Sequence, residues 1–455
     1  GGRWQRKLYG IPRQRARLLD RDVRQPETLP MVPQPYKKAL TDDSPIQAVL
    51  DQLQAAAPKN FLSAKPEHQS FVEETGVAFS EEPEAIEKAL LNERERYSLA
   101  LHVAAKLAKA RDIVTKLRQP VKLSVVFAVY KEHHRILKPE HHESGEDFLR
   151  RKVAQLDWLA SASPLFSWEL VAVDDGCPEG SGHLLEQLAK DEGFENVRVL
   201  FLEHAIKEKL PIAGSVRSTD ESRKGGSIAY GMWETCQRVE ADKEHVVAFT
   251  DADLSTHLGQ SGLLLDPLLN GGKEVALGSR RETTSIVVKK GTRNVRGKLF
   301  IYLWKRMISP ALIEITDTQC GFKAFRAETA RAILHDLLER GFAFDIELLL
   351  KAEQRSANCL ARVPIAWIDS EAESTTTALN PYLTMLKSIA GMNRKYLPSN
   401  LEAEAFVAFI ESLDENHWSL LVENVPEAIA SADPLCFGRF DEVTPDDLRT
   451  ILKNT

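Results

Sequence analysis

Apolar positions change their spacing twice along the chain. Across 82–117 they recur at helical intervals, as in Ala85, Ala89 and Leu90 and then Leu99, Leu101, Val103, Ala104 and Leu107. Pro120 closes that zone, because its ring disfavours helix in the residue before it. Beyond it, short Val- and Leu-rich runs at 123–129, 170–173, 197–202 and 246–250 predict buried strands. Helical stretches at 148–160, 184–190 and 226–238 lie between them. Such alternation predicts an α/β fold with a mostly parallel sheet flanked by helices. The end of the chain predicts short helices at 402–413 and 445–452, with a turn at Asn416. Three zones result: a basic, Pro-rich arm with a helical extension (1–120), a catalytic α/β domain (121–397) and a C-terminal helical extension (398–455). Repeats and low-complexity tracts are absent from the sequence.

Composition narrows this picture in three respects. With 455 residues, 43% hydrophobic and 27% charged, the balance is that of a soluble globular protein. No apolar run reaches the ~18 residues that span a bilayer. The nearest approach, 299–313, is broken by Lys305 and Arg306 and predicts a half-buried helix in preference to one lying in a membrane interface. Five scattered cysteines without a C-x-x-C indicate neither a disulfide scaffold nor a zinc site, and fit a reducing, cytoplasmic setting. The first forty residues carry ten Lys or Arg against three Asp or Glu, a net of +7, so the remainder carries −14 of the overall −7. Five prolines in that basic head favour an extended arm packed on the surface over a lipid- or nucleic-acid-binding segment, and no apolar stretch there reads as a secretory signal.

Candidate chemistry lies where strands end, because ligands of open α/β sheets gather at carboxyl edges. The fourth strand ends VVAFTDADLSTH, so Asp251 and Asp253 stand where the chain leaves the sheet. Carboxylates at i and i+2 in extended backbone share a side. They suit Mg²⁺ or Mn²⁺, which take one or two carboxylates and complete their shell with substrate phosphates. Position matters here: Asp20-Arg21-Asp22 repeats the spacing with no strand before it. The second strand ends VAVDDGCPEGSG, where Asp174 and Asp175 either accept a hydrogen bond from a base imide or simply start a turn. SRKGGSIAYGM opens a helix with two glycines that admit phosphate to backbone N–H groups and with Lys224 as a point charge; a plain helix start reads equally well.

These segments, in this order, resemble the glycosyltransferase family 2 version of the GT-A fold. AVYKEH, VDDGCPEGS, RKGGSIAYG, TDADLS and EVALGSRR are similar to the family's successive motifs. TDTQCGFKAF, GFAFDIELLLKA and ARVPIAWID place the likeness closest to the dolichyl-phosphate glucosyltransferase and polyprenyl-phosphate glycosyltransferase branch. The resemblance implies that Ala128, Tyr130, Glu132, Asp174 and Asp175 surround base and ribose, with Lys224 near the nucleotide. It implies Asp251 and Asp253 on a metal-diphosphate, and Arg280, Arg281 and Arg293 on donor or acceptor phosphate. Asp317 and Gln319 would line the reacting centre. Lys131 stands where the family carries Asn, Cys177 where it carries Ser, and Gly297 where the acceptor loop often carries Ser.

The expected reaction is inverting displacement at the anomeric carbon of a nucleotide-diphosphate sugar, UDP-glucose by the resemblance. A phosphate acceptor needs no general base; a hydroxyl acceptor does, with Asp317 and then Asp345 as candidates. Between Arg280 and Arg306 nine Lys or Arg face one acid, Glu282, a concentration that suits a phosphate-bearing acceptor (a polyprenyl phosphate or a soluble phosphorylated compound, the alternative to a hydroxyl compound), peripheral contact with the membrane surface holding it, or else a solvated helix face. His133, His134, His141 and His142 lack the spacing of a metal cluster, and His257 reads better as a cap than as a ligand. Trp158, Trp168, Trp233, Trp304 and Trp367 fall at apolar positions, and Glu347 either faces the acceptor or pairs with a base. The flanking helices either bury the back of the catalytic domain or pair two subunits as a homodimer. Nucleic acid is not expected as a partner. A sugar-1-phosphate nucleotidyltransferase would need a G-x-G-x-R after the first strand, and a dehydrogenase a G-x-G-x-x-G; neither occurs. A silent sugar-nucleotide-binding scaffold is the remaining rival, and the intact acidic pair speaks against it.

Overall fold

The computed structural model describes residues 46–454 except 215, 239, 241, 289–293, 370–380 and 438–441, so the basic arm and Arg293 lie outside the described residues. Four helices precede the sheet: α1 (Ile46–Ala56), α2 (Pro66–Phe79), α3 (Pro83–Asn92) and α4 (Leu99–Thr115). The helical run expected across 82–117 is interrupted between Asn92 and Leu99, where turns replace it. Then come β1 (Val121–Val129), α5 (Phe148–Ala160), β2 (Phe166–Asp174), α6 (Ser181–Asp191), β3 (Val197–Phe201), α7 (Leu202–Lys207), α8 (Gly225–Cys236) and β4 (Glu244–Thr250). The second half adds α9 (Ser261–Leu269), β5 (Val275–Ser279), β6 (Ile286–Val288), α10 (Asn294–Ile308), β7 (Phe322–Arg326), α11 (Ala327–Ile333), α12 (Phe344–Arg355), β8 (Leu360–Pro364) and β9 (Ala366–Ile368). Helices α13 (Pro381–Tyr396), α14 (Leu401–Ser412), α15 (Glu415–Glu423), α16 (Glu427–Ser431) and α17 (Pro445–Asn454) follow.

Seven strands form one sheet in the order β3-β2-β1-β4-β7-β5-β8. Every pairing is parallel except those of β7, which runs against both β4 and β5. The expected α/β class with a mostly parallel, helix-flanked sheet is therefore the one observed. This topology fixes the location of any site. The carboxyl ends of β1, β2, β4 and β5 and the amino end of β7 share one edge. Strands β6 and β9 make a separate parallel ribbon beside it.

The strand sequences read as continuous Val and Leu because both sheet faces are covered. Val126, Val171, Val247 and Phe249 bury against α8, α10 and α12, while their neighbours Val125, Leu170, Val246 and Ala248 bury against α5, α6 and α9. The amino-terminal helices add a third cluster around Leu50, Val72, Phe79 and Leu101 that also takes in Ile286 and Ile368 of the ribbon. At the other end, Phe406, Trp418, Leu421 and Leu448 of the last helices belong to the same cluster as the sheet, so the core continues through residue 398 without a break.

Two local expectations are corrected. Asn416 lies inside α15, not in a turn: the Asp414 carboxylate accepts from the His417 backbone N–H at 2.8 Å and starts the helix at Glu415. The 299–313 segment is a helix only to Ile308, and it is more than half-buried. Leu299 through Trp304 are all at most 5% exposed, because α13, α14 and α16 pack around it. The Tyr302 hydroxyl donates to the Val443 carbonyl (2.6 Å) and Lys298 Nζ to the Ala430 carbonyl (2.7 Å). Among the described residues no helix is long and apolar enough to cross a membrane. Of the five tryptophans placed at apolar positions by the sequence, Trp304 and Trp168 are buried, and Trp158, Trp233 and Trp367 are half-buried against the clusters.

Phe249 on β4 stacks near Phe325 and Phe344, joining the sheet to α12 (centroids 6.2 and 5.3 Å apart). Phe249→Ala is expected to lower unfolding stability by about 3–5 kcal/mol, read from urea denaturation; a loss below about 1 kcal/mol would show that this ring does not tie the layers together.

Candidate active site

Strand β4 delivers Asp251 and Asp253 to the shared edge, with side chains 29% and 24% exposed. Their backbone is held from beneath. Lys152 of α5, fully buried, donates from Nζ to the carbonyl oxygens of Asp251 (2.9 Å) and Asp253 (2.8 Å). Burial pushes that ammonium down to about 8, against the pull of the two acids. Gly321, one residue before β7, lies against the Asp251 carboxylate: a Cβ there would sit 2.4 Å from both oxygens. Asp253 turns Oδ1 to the Ser255 backbone N–H (3.0 Å), and its Oδ2 lies 3.7 Å from Arg135. His257 caps the next turn by accepting from Gly259 N–H (3.0 Å), with Glu73 on its other nitrogen. It is a cap, as its spacing suggested.

Lys224 Nζ grips Asp251 Oδ1. Burial alone would raise the Asp251 carboxyl, but the charge and hydrogen bond of Lys224, with the charges of Arg280 and Lys152, together outweigh it and hold the group below the usual carboxylate range. Lys224 occupies a left-handed backbone conformation (φ 77°), unfavourable for a residue with a Cβ. Asp175 stabilises it: Oδ2 accepts the Lys224 backbone N–H (2.8 Å) and Oδ1 the Ser227 hydroxyl (2.6 Å). The glycines after Lys224 serve packing. Gly226 N–H already donates to the Arg340 carbonyl (2.9 Å), and a Cβ on Gly225 would lie 2.4 Å from the Gly341 oxygen. That corrects the reading of this helix start as an open phosphate cradle.

Asp174 is occupied likewise. Its carboxylate accepts backbone N–H bonds from Gly176, Cys177 and Gly182 at 2.8–2.9 Å, shaping the turn into α6. At the end of β1, Ala128 is half-buried and Tyr130 is 38% exposed, open to a ligand. Glu132 is buried and its carboxylate meets Arg135 (3.2 Å), which also binds Glu146 (3.1 Å). Burial, only partly offset by Arg135, raises Glu132 above the usual range. The rings of His133, His134 and His142 stack in the same loop, and no cluster of three metal-ligating side chains occurs among the described residues.

On the other side, Arg280 and Asp317 form a two-pronged pair. Arg280 donates from Nε to Oδ2 (2.8 Å), from its terminal nitrogen to Oδ1 (2.7 Å) and from its backbone N–H to Oδ2 (2.7 Å), while stacking over Trp367. Burial opposes the charge of Asp317, yet the guanidinium wins and holds the carboxyl well below the usual range. Such a group is a poor proton acceptor. Asp345 is the reverse case: burial raises it, Lys323 and Lys224 compensate only in part, and its Oδ1 makes a 3.3 Å ion contact with Lys323 without a hydrogen bond. The half-buried Arg281 lowers its own affinity for a proton through burial, and the half-buried Gln319 has an amide nitrogen with no partner among the described residues. Glu347 is held mainly by hydrogen bonds, with Arg340 and Lys351 near enough to feel its charge. It accepts the backbone N–H groups of Leu338 and Glu339 (2.8 Å each) and the Tyr396 hydroxyl.

The edge thus brings together Lys224, Asp251, Asp253, Arg280, Asp317 and Asp345, while Asp174, Asp175 and Glu132 support it from within. Lys152, Arg135 and Gly321 were not singled out from sequence. The signal for Lys152 was a lone charge on the apolar face of its helix, between Leu149 and Leu156.

No protein-family model matches the chain. In sequence it is similar to the dolichyl-phosphate beta-glucosyltransferase of Drosophila melanogaster, 28% identical over 262 residues that cover 56% of this chain and 70% of that one. The Homo sapiens dolichyl-phosphate beta-glucosyltransferase is 27% identical, with 60% and 76% covered. The glycosyltransferase AglD of Haloferax volcanii is 24% identical, over 54% of this chain and 33% of its own. Among solved structures, glucosyl-3-phosphoglycerate synthase of M. tuberculosis superposes with a TM-score of 0.42 at 19% identity, covering 65% of this chain and 86% of that one. The sequence likenesses bear out the resemblance to family 2 glycosyltransferases and the enzyme class: the protein is a glycosyltransferase.

Two outcomes follow from the geometry. Gly321→Ala is expected to displace the Asp251 carboxylate and reduce transferase turnover by about a hundredfold or more, as for loss of a positioned transition-state group, with the thermal midpoint little changed; steady-state assay beside a melting curve checks this. The Arg280–Asp317 pair gives stability that is present above the unfolded carboxyl value near 4 and is lost as pH falls through the lower folded one. Asp317→Asn should therefore flatten the acid limb of the stability–pH curve, and an unchanged limb would contradict the pairing.

Proposed function

We propose that the protein transfers a hexose, with inversion, from a nucleotide-diphosphate sugar to an acceptor that carries a phosphate. The observation that supports this most is the acidic pair at the carboxyl end of β4, with Lys224 on the same edge holding Asp251 in its ionised form. Two partly exposed carboxylates fit Mg²⁺ or Mn²⁺, whose remaining positions phosphates and water fill. When bound, such an ion would neutralise charge on the departing diphosphate.

The protein's own groups divide the remaining work. Lys224 supplies a cation beside Asp251 that can pass to a phosphate oxygen, exchanging one anion for another without leaving its turn. Tyr130 presents an exposed ring at the end of β1, suited to stacking on a base. Arg280 is committed to Asp317 and shapes the floor, so Arg281 is the better anion partner. Charge-assisted binding there would orient a phosphate acceptor for in-line attack. A phosphate nucleophile is already an anion. For a hydroxyl acceptor the raised carboxyl of Asp345 is the better base than Asp317, reversing the order expected from sequence. The similar proteins bear names with dolichyl phosphate and glucose in them; glucose is accordingly the first sugar to test and UDP the first nucleotide. A peripheral membrane position is compatible with a polyprenyl-phosphate acceptor, and a cytoplasmic one with a soluble phosphorylated compound.

Thermal shift with UDP and GDP, each with and without Mn²⁺, identifies the nucleotide, because binding to the native state raises its midpoint. A Mn²⁺-dependent rise with one nucleotide is expected. Asp251→Asn should abolish that rise and lower sugar transfer by about a hundredfold or more. A shift insensitive to Mn²⁺ and to this substitution would overturn the metal-diphosphate reading.

A further inference from the structure

Resting on that reading of the metal site, we propose that α5 (Phe148–Ala160) is a positioning ledge for the metal loop, with Lys152 as the residue that sets divalent-ion affinity without touching the ion. Three observations carry this. Lys152 has no exposed surface, yet its ammonium donates to no carboxylate; it donates to the two backbone carbonyls of the candidate ligands themselves, Asp251 (2.9 Å) and Asp253 (2.8 Å). One turn along the same helix face, Gln155 accepts the Leu258 backbone N–H (2.8 Å) and donates to Gln69 (3.3 Å) of the amino-terminal helices. The loop is thereby fixed from 251 to 258 by two side chains spaced i, i+3 on one rigid element. Finally, Lys152 Nζ lies 5.6 Å from the Phe127 ring, within reach of its face. A lysine in so apolar a place costs stability unless it is paired; an apolar residue would fill the space more cheaply if filling were its purpose.

The physical consequence is directional. A donor holding both carbonyls fixes the φ/ψ of the residues between them, and so fixes the spacing of the two carboxylates. Removing it frees the loop to choose other pairings, so the ion meets two carboxylates that must first be ordered. Groups one shell away from a metal change its affinity by about 10–100-fold. The same range is expected here.

The test measures Mn²⁺ binding directly, by loss of the free-ion electron paramagnetic resonance signal, with UDP and separately GDP present. Wild type, Lys152→Met, Lys152→Gln and Lys106→Met are compared. Lys106 is a second buried lysine, paired with Glu87 (2.6 Å) in the helices away from the edge, so its removal reports general destabilisation. Lys152→Met is expected to weaken Mn²⁺ binding at least about tenfold, Lys152→Gln less because its amide retains donors, and Lys106→Met not at all. Should Lys152→Met fail to fold, Lys152→Gln decides. Wild-type binding with the Lys152 variants within twofold of it would overturn the ledge and leave the metal site standing. Equal weakening in Lys106→Met would also overturn it, by showing a global effect. No Mn²⁺ bound by wild type would overturn both the ledge and the metal reading on which it rests.

Discussion

The edge of the sheet depends on keeping one carboxylate, that of Asp251, charged and still. Burial works against the charge, and Lys224 offsets it. Lys224 holds an unfavourable backbone conformation, and Asp175 fixes that in turn. The close approach of Gly321 at the start of β7 leaves room for the carboxylate only because no side chain stands there. Residues from β2, α8, β4 and β7 thus bear on a single group. The strand order brings them together, since β1, β2, β4 and β5 end on one edge and β7 begins on it.

A second anchor stands across the edge. Arg280 and Asp317 satisfy one another almost completely, so neither is free for the roles that isolated residues of their kind suggest. A buried pair of this sort contributes shape more surely than net stability. It leaves Arg281, Gln319 and Asp345 as the groups with unspent capacity on this side of the edge. The helix α10 shows the same logic at larger scale. Its apolar face is covered by the carboxyl-terminal helices, which makes that extension part of the same core as the sheet.

Much of this was legible in the sequence, for identifiable reasons. Strands buried on both faces announce themselves as unbroken Val and Leu runs, and helix 148–160 was read to the residue from its periodicity. The acidic pair was legible because its position after a strand is a local property. Partnerships between distant residues were not. Nothing local says that Asp174 is consumed by three backbone N–H groups, or that Asp175 holds a residue 49 positions away. The glycines of α8 read equally well as making room for phosphate or as a plain helix start, and the room they make is for the Gly341 carbonyl and the Ser222 side chain. Asn416 was assigned a turn because the capping bond that extends α15 depends on Asp414 and His417 acting together.

If Asp251 and Asp253 receive the donor's diphosphate through a divalent ion, a crystal structure with Mn²⁺ and the nucleotide diphosphate that binds will show it. The expected result is an anomalous manganese peak about 2.1 Å from carboxylate oxygen and shared with the diphosphate, with Lys224 Nζ moved from Asp251 toward phosphate. A diphosphate bound elsewhere on the protein, with Lys224 still on Asp251 and no manganese at the edge, would contradict it.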